Sequence, residues 1–190
     1  MMGLAAFGAI EGHALGETAK EIVGLDVSEE WVRTCARTLK DHGLANGRAV
    51  QGSADALPFG DGAFDVVCMV DVLHHLDRPE AALLEAHRVI RPGGRLLVFE
   101  PNKLNPLLTF LCVLDRNEWG FLRPPMGTAR GLREMVERPG FTVEEIHPSG
   151  LLIGPDGPRS GLASRSLSAS VRDGSSPRGI SRSASPSTSR

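Results

Sequence analysis

Two hydrophobic periodicities alternate along the first 149 residues. EIVGLD (21–26) is a short apolar run ending in an acid, as a strand reaching a sheet edge would be. Ser28 then suits a helix N-cap, with Glu29 and Glu30 in the first turn, where the helix dipole favours acids. Trp31, Cys35 and Leu39 recur every fourth residue and predict one apolar helix face, which Gly43 would end. RAVQG (48–52) predicts a short strand. FDVVCMV (64–70) is continuously apolar and β-branched, the pattern of a strand buried on both faces. Asp77 is the expected cap of the next helix, with Arg78 and Pro79 in its first turn and Leu83, Leu84, His87 and Ile90 facing inward. Pro92-Gly93-Gly94 forces a turn into RLLVFE (95–100), a second buried strand. A helix is expected over 129–137. FTVEEI (141–146) alternates like an edge or antiparallel strand. Met2 to Phe7 fits either a short apolar strand or an extension of the helix after it.

Strands separated by helices imply βαβ units, hence an α/β fold with a doubly wound, mainly parallel, Rossmann-like sheet. Ligands bind such sheets at the carboxyl ends of the strands. From Gly150 onward Ser, Gly, Pro and Arg dominate, with too few large apolar residues to offset the entropy of ordering. The expected division is therefore a folded domain over 1–149 and a disordered tail over 150–190.

Charge and cysteine content narrow the function classes. A formal net charge of -2 gives no whole-chain reason to expect nucleic acid or an anionic membrane as partner. The Arg/Ser tail resembles RS-type segments, but its repeats are too sparse to suggest RNA. Cys35, Cys68 and Cys112 are odd in number and form no C-x-x-C pair, which points away from a disulfide framework or zinc site and toward a reducing cytoplasm. The apolar start lacks a positive n-region and is too short to span a bilayer. Oligomeric state is not legible.

Four segments carry candidate chemistry. In Val23-Gly24-Leu25-Asp26-Val27-Ser28, an acid at a strand end can accept both hydroxyl hydrogen bonds of a ribose. Alone, it suits a nicotinamide dinucleotide or S-adenosylmethionine equally. In Ser53-Ala54-Asp55-Ala56-Leu57-Pro58-Phe59, a carboxylate can accept from an adenine amino group while Ala56 and Leu57 close an apolar slot. The strand before Asp71 delivers Met69 and Val70 to the ligand edge, followed by His74 and His75, either of which could act as a base or bind ligand. The competing reading is one packed and one backbone-bonded histidine. Asp71, His74 and His75 lack an apparent third and fourth partner, so no metal is assigned. Arg88 to Asn102, with RVIRPGGRLLVFEPN, holds the Pro-Gly-Gly reversal.

SADALPF, FDVV…VLHHL and RVIRPGGRLLV, in this order and spacing, resemble the class I S-adenosylmethionine-dependent methyltransferases, in particular the branch acting on small molecules. The resemblance runs from about Ala14 to Phe141. It implies a seven-stranded sheet, S-adenosylmethionine as cofactor, and a small-molecule substrate. It also implies that Asp26, with Val27, holds the ribose, and that Asp55, Ala56 and Leu57 hold the adenine. Met69 and Val70, with the helix at His74 and His75, would then line the methionine and methyl end. Catalysis in this family rests mainly on placing a nucleophile in line with the methyl group, so no catalytic residue carries over.

The chain departs from the family pattern at both ends. The family's acid and glycine-rich loop after the first strand is reduced here to Gly8, the one glycine in register to meet the cofactor. An incomplete first strand, a truncated N-terminus and an incomplete last strand are expected, as a displaced start and a shifted reading frame would produce. The function implied is methyl transfer to an unidentified small molecule, impaired by the lost loop. The alternative is an inactive methyltransferase-like fold acting as a binding or regulatory partner. The missing G-x-G-x-x-G argues against a nicotinamide-dependent oxidoreductase.

Overall fold

A computed structural model describes residues 2–6, 19–103, 109–110, 113–114, 116–148 and 166–173. Its strands are β1 (Met2–Ala6), β2 (Glu21–Asp26), β3 (Gly47–Gln51), β4 (Phe64–Val70), β5 (Ile90–Pro101), β6 (Phe141–Pro148) and β7 (Ser166–Asp173). Its helices are α1 (Glu29–Asp41), α2 (Pro79–Val89) and α3 (Ala129–Glu137). Two 3-10 turns, Leu73–His75 and Arg116–Leu122, complete it.

The seven strands form one sheet in the order β3-β2-β1-β4-β5-β7-β6. β1 to β5 are parallel, and β7 runs antiparallel to both β5 and β6. The direction of winding reverses between β1 and β4, which opens a crevice at the carboxyl ends of the central strands. Met2 to Ala6 is thus a strand, paired on both sides.

One stretch of the segment after Gly150 is a strand, β7. Ser166–Asp173 lies between β5 and β6, with Ser170 opposite Leu97 on one side and Glu145 on the other. Its neighbours supply two ladders of backbone hydrogen bonds, a stabilisation that composition does not report. The rest of the tail, and the segment holding Gly8, lie outside the described residues.

The core gathers Val67 and Met69 of β4, Leu96 and Val98 of β5, and Leu132, Met135 and Val136 of α3. On α1 the expected stripe holds only in part. Cys35 and Leu39 are buried, but Trp31 is 58% exposed. A helix that follows a strand starts beyond the sheet edge and runs back over it, so its first turn has no sheet beneath it. Ser28 caps this helix as expected, accepting from the Trp31 N–H at 3.4 Å.

Helix α2 departs further from expectation. Its N-cap is Arg78, with no side-chain bond, and Pro79 occupies the first helical position; Asp77 does not cap. The buried face is Ala82, Leu83, Ala86 and Val89. Leu84 is exposed, Ile90 already belongs to β5, and His87 packs edge-on against Phe141 at 5.0 Å. Alanines let the helix lie close to the sheet, so the smaller side chains chose the inner face. Pro92-Gly93-Gly94 does not precede the strand as expected: it lies inside the long β5, where Gly93 takes φ +78° and the register against β4 shifts between Phe64 and Val66. Helix α3 and the edge strand β6 form where the pattern placed them.

Candidate functional site

A cleft of about 170 Å³ opens at the carboxyl ends of β2 and β4. Leu25, Asp26 and Val27 form one wall, Gly52 and Ala54 the floor beyond β3, and Val70, Asp71, Val72, His75 and Leu76 the opposite wall. Of the residues expected to hold cofactor, Asp26, Val27, Val70 and His75 lie here. Asp55, Ala56, Leu57 and Met69 are not among its walls. Alternation along a strand puts Met69 and Val70 on opposite faces, and Met69 points into the core. Leu57 is likewise buried in the core, whereas Ala56 is exposed.

Asp26 sits at the last position of β2. One carboxylate oxygen accepts from the Ser28 N–H at 2.7 Å, which holds the turn and fixes the side chain. The other oxygen keeps its hydrogen-bonding capacity.

The loop after β3 is held from α2. Arg88 donates to the Leu57 and Phe59 carbonyls at 3.1 and 2.8 Å, to Asp61 at 2.8 Å, and to both oxygens of Glu85. Glu85 in turn accepts from the Leu57 N–H at 2.8 Å. The Arg88 side chain is bonded on every nitrogen, which raises its pKa, chiefly through Glu85. The same pair lowers the Glu85 pKa. Asp55 is turned to Ser53, whose hydroxyl donates to it at 2.5 Å, and to Arg78 at 3.4 Å. The Ser53 bond is the main cause of its lowered pKa.

The wall after β4 is charged and tightly bonded. Asp71 takes φ 50°, a left-handed conformation that aspartate tolerates better than most residues, and it turns the chain sharply at the cleft. Glu100, on β5 and 2% exposed, lies beneath. Its Oε1 accepts from the Val72 and Leu73 N–H groups at 3.1 and 2.8 Å, and its Oε2 meets His74 Nδ1 at 2.7 Å. A buried carboxylate with three partners is well compensated. His74 Nε2 lies 3.2 Å from Glu118 Oε2, and the His74 and His75 rings meet at a tilt of 43°, their centroids 3.9 Å apart.

Burial alone would lower the His74 pKa. The hydrogen bond and charge of Glu100, with Glu118 and Asp71, outweigh it and raise the value. Asp71 keeps an exposed edge, but the protein packed around its carboxyl raises its pKa first, and the Glu100 charge adds to that.

Sequence reading placed His74 and His75 correctly at the end of β4 but did not find Glu100 or Glu118. Glu100 carried a faint signal, an acid ending a buried strand. Glu118 carried none, since it comes from a distant turn. Between β5 and α3, Phe110 and Trp119 are exposed.

Six parallel strands, one antiparallel strand inserted between β5 and β6, and a cleft at the switch point define the class I methyltransferase fold. A S-adenosylmethionine-dependent methyltransferase from Aquifex aeolicus superposes with a TM-score of 0.66 at 18% identity, covering 91% of this chain and 82% of that one. The [4+2]-cyclase SpnF superposes with a TM-score of 0.59 at 23% identity, covering 77% of this chain and 53% of the other.

Residues 6–98 match the methyltransferase domain family. That match covers just under half of the chain. The ubiquinone/menaquinone biosynthesis C-methyltransferase UbiE of Shewanella sp. (strain ANA-3) is 37% identical over 92 residues, 48% of this chain. The match spans 36% of that relative's length. Among the described residues, no helix is long and apolar enough to cross a membrane.

Proposed function

We propose that this chain transfers a methyl group from S-adenosylmethionine to a small molecule. The observation that carries this reading is the cleft itself, with the Asp26 carboxylate fixed at the end of β2 and apolar side chains on both sides. The residues present suit the cofactor. Asp26 would accept the ribose hydroxyl hydrogen bonds, while Leu25, Ala54, Val72 and Leu76 offer apolar surface to a flat ring. When bound, S-adenosylmethionine supplies a methyl group on a sulfonium, ready for attack by a nucleophile.

The chain's own work would be positioning. Glu85 and Arg88 hold the loop after β3 in place, and Glu100 holds the turn that carries Val72 and His75 to the opposite wall. Such placement, with water excluded by the apolar walls, accounts for much of the acceleration available to a transfer in line. The formed cleft supports an enzyme over an inactive binding partner. The fold alone would not, since SpnF is named a cyclase.

Calorimetry with S-adenosylmethionine on purified protein, alongside Asp26→Ala, tests this. Micromolar binding that the substitution weakens at least about tenfold, a loss of about 1.4 kcal/mol, is expected. A folded protein that binds no cofactor would overturn the reading.

A further inference from the structure

The turn Arg116–Leu122 adds a third ligand-type side chain to the paired histidines. One ligand atom each from His74, His75 and Glu118 lies within 4.8 Å of the other two. We propose that these three residues bind a divalent transition-metal ion, of the class that zinc represents, at the rim of the cleft. This site does not depend on the cofactor assignment.

The spacing suits such an ion. Glu118 Oε2 is 3.2 Å from His74 Nε2, and Glu118 Oε1 is 4.0 Å from His75 Nε2. With metal–ligand bonds of about 2.0–2.2 Å, a tetrahedral site has ligand-to-ligand edges of about 3.4 Å. Glu118 thus reaches each histidine through a different oxygen, and with one atom from each residue the three span at most 4.8 Å, so side-chain rotations draw them in to that edge.

Support from behind is already in place. His74 is held at Nδ1 by Glu100, which is itself held by two backbone N–H groups. A carboxylate on the far nitrogen fixes the ring and turns the Nε2 lone pair toward a metal. The two turns can meet this closely because residue 120 is glycine: a Cβ there would overlap the His74 carbonyl oxygen.

Charge points the same way. Asp71, Glu100 and Glu118 surround two imidazoles. Among the described residues no Lys or Arg pairs with Glu100 or Glu118. A divalent ion would balance these three carboxyl groups. On binding, any proton on His74 Nε2 leaves to solvent as the nitrogen–metal bond forms. The side chains of His75 and Glu118 are 43% and 32% exposed, which leaves open coordination positions for water or an oxygen of a substrate. Two imidazoles and one carboxylate suit zinc, cobalt, nickel or ferrous iron better than magnesium or calcium.

The competing arrangement is an imidazolium at His74 bridging Glu100 and Glu118 without metal. Chelator-stripped full chain titrated with Co²⁺, followed by visible absorption, and with Zn²⁺ by calorimetry separates the two. One ion per chain is expected, with His75→Ala and Glu118→Gln each weakening it at least about tenfold. Both side chains are partly exposed, so both variants should fold. As a second readout on unaltered protein, the His74 and His75 ring signals in NMR should shift on addition of Zn²⁺. Absence of the cobalt spectrum, ring signals that do not move, or affinity unchanged in both variants would overturn the proposal.

Discussion

The two walls of the cleft are built in opposite ways. The wall at β2 is local: Asp26 is fixed by Ser28 two residues on, and its neighbours Leu25 and Val27 follow from the strand. The wall after β4 is assembled from distant sequence. Glu100 reaches His74 across 26 positions and Glu118 reaches it across 44. A local wall keeps its shape with little help, and few changes there threaten the fold. The assembled wall places a carboxylate and an imidazole where water cannot reach, so each depends on the other.

Glu100→Ala should separate the walls most sharply. It leaves the His74 Nδ1 and the Val72 and Leu73 N–H groups without their partner, and urea unfolding should show a loss of about 3–5 kcal/mol. Part of that interaction depends on pH. The folded pKa of His74 lies above its ordinary value of 6.5. The stabilisation is therefore complete below about pH 6.5 and falls away as pH rises through the folded value. Asp71, also raised, loses stability in the same direction, but that loss begins lower, as pH rises past its ordinary value of 3.8. The urea midpoint should drop from pH 6 to pH 9, and less so in Glu100→Gln. An unchanged slope would mean that His74 is not charged in the folded protein.

Arg88→Ala removes the clamp on the floor between the walls. Bonds to charged groups are lost at both Glu85 and Asp61, and a fall of about 2 kcal/mol in unfolding free energy is expected. Ser28→Ala acts on the local wall through the α1 cap alone. It should cost about 0.5–1 kcal/mol, and an effect as large as that of Glu100→Ala would remove the contrast between the walls.

Legibility follows the same division. FDVVCMV and RLLVFE announced β4 and β5 because a strand buried on both faces is apolar at every position. Helix α3 was equally clear, since it turns one face to the sheet and the other to solvent. Trp31 and Leu84 misled because periodicity shows that a stripe exists, not how far the sheet extends beneath it. The last strand was overlooked for a different reason. Leu167, Ala169 and Val171 alternate with Ser168, Ser170 and Arg172, a period-two pattern that the low overall hydrophobicity of the tail obscured.

By itself the sequence determined the class of fold, the parallel strands of its centre, and the acid at the end of β2, because each is written in residues near one another along the chain. Only the tertiary structure decided that a Ser-rich segment closes the sheet between β5 and β6, and that Glu100 and Glu118 converge on His74. Backbone ladders and buried ion pairs draw their energy from partners brought together by folding, and no local pattern in the chain records which partners those are.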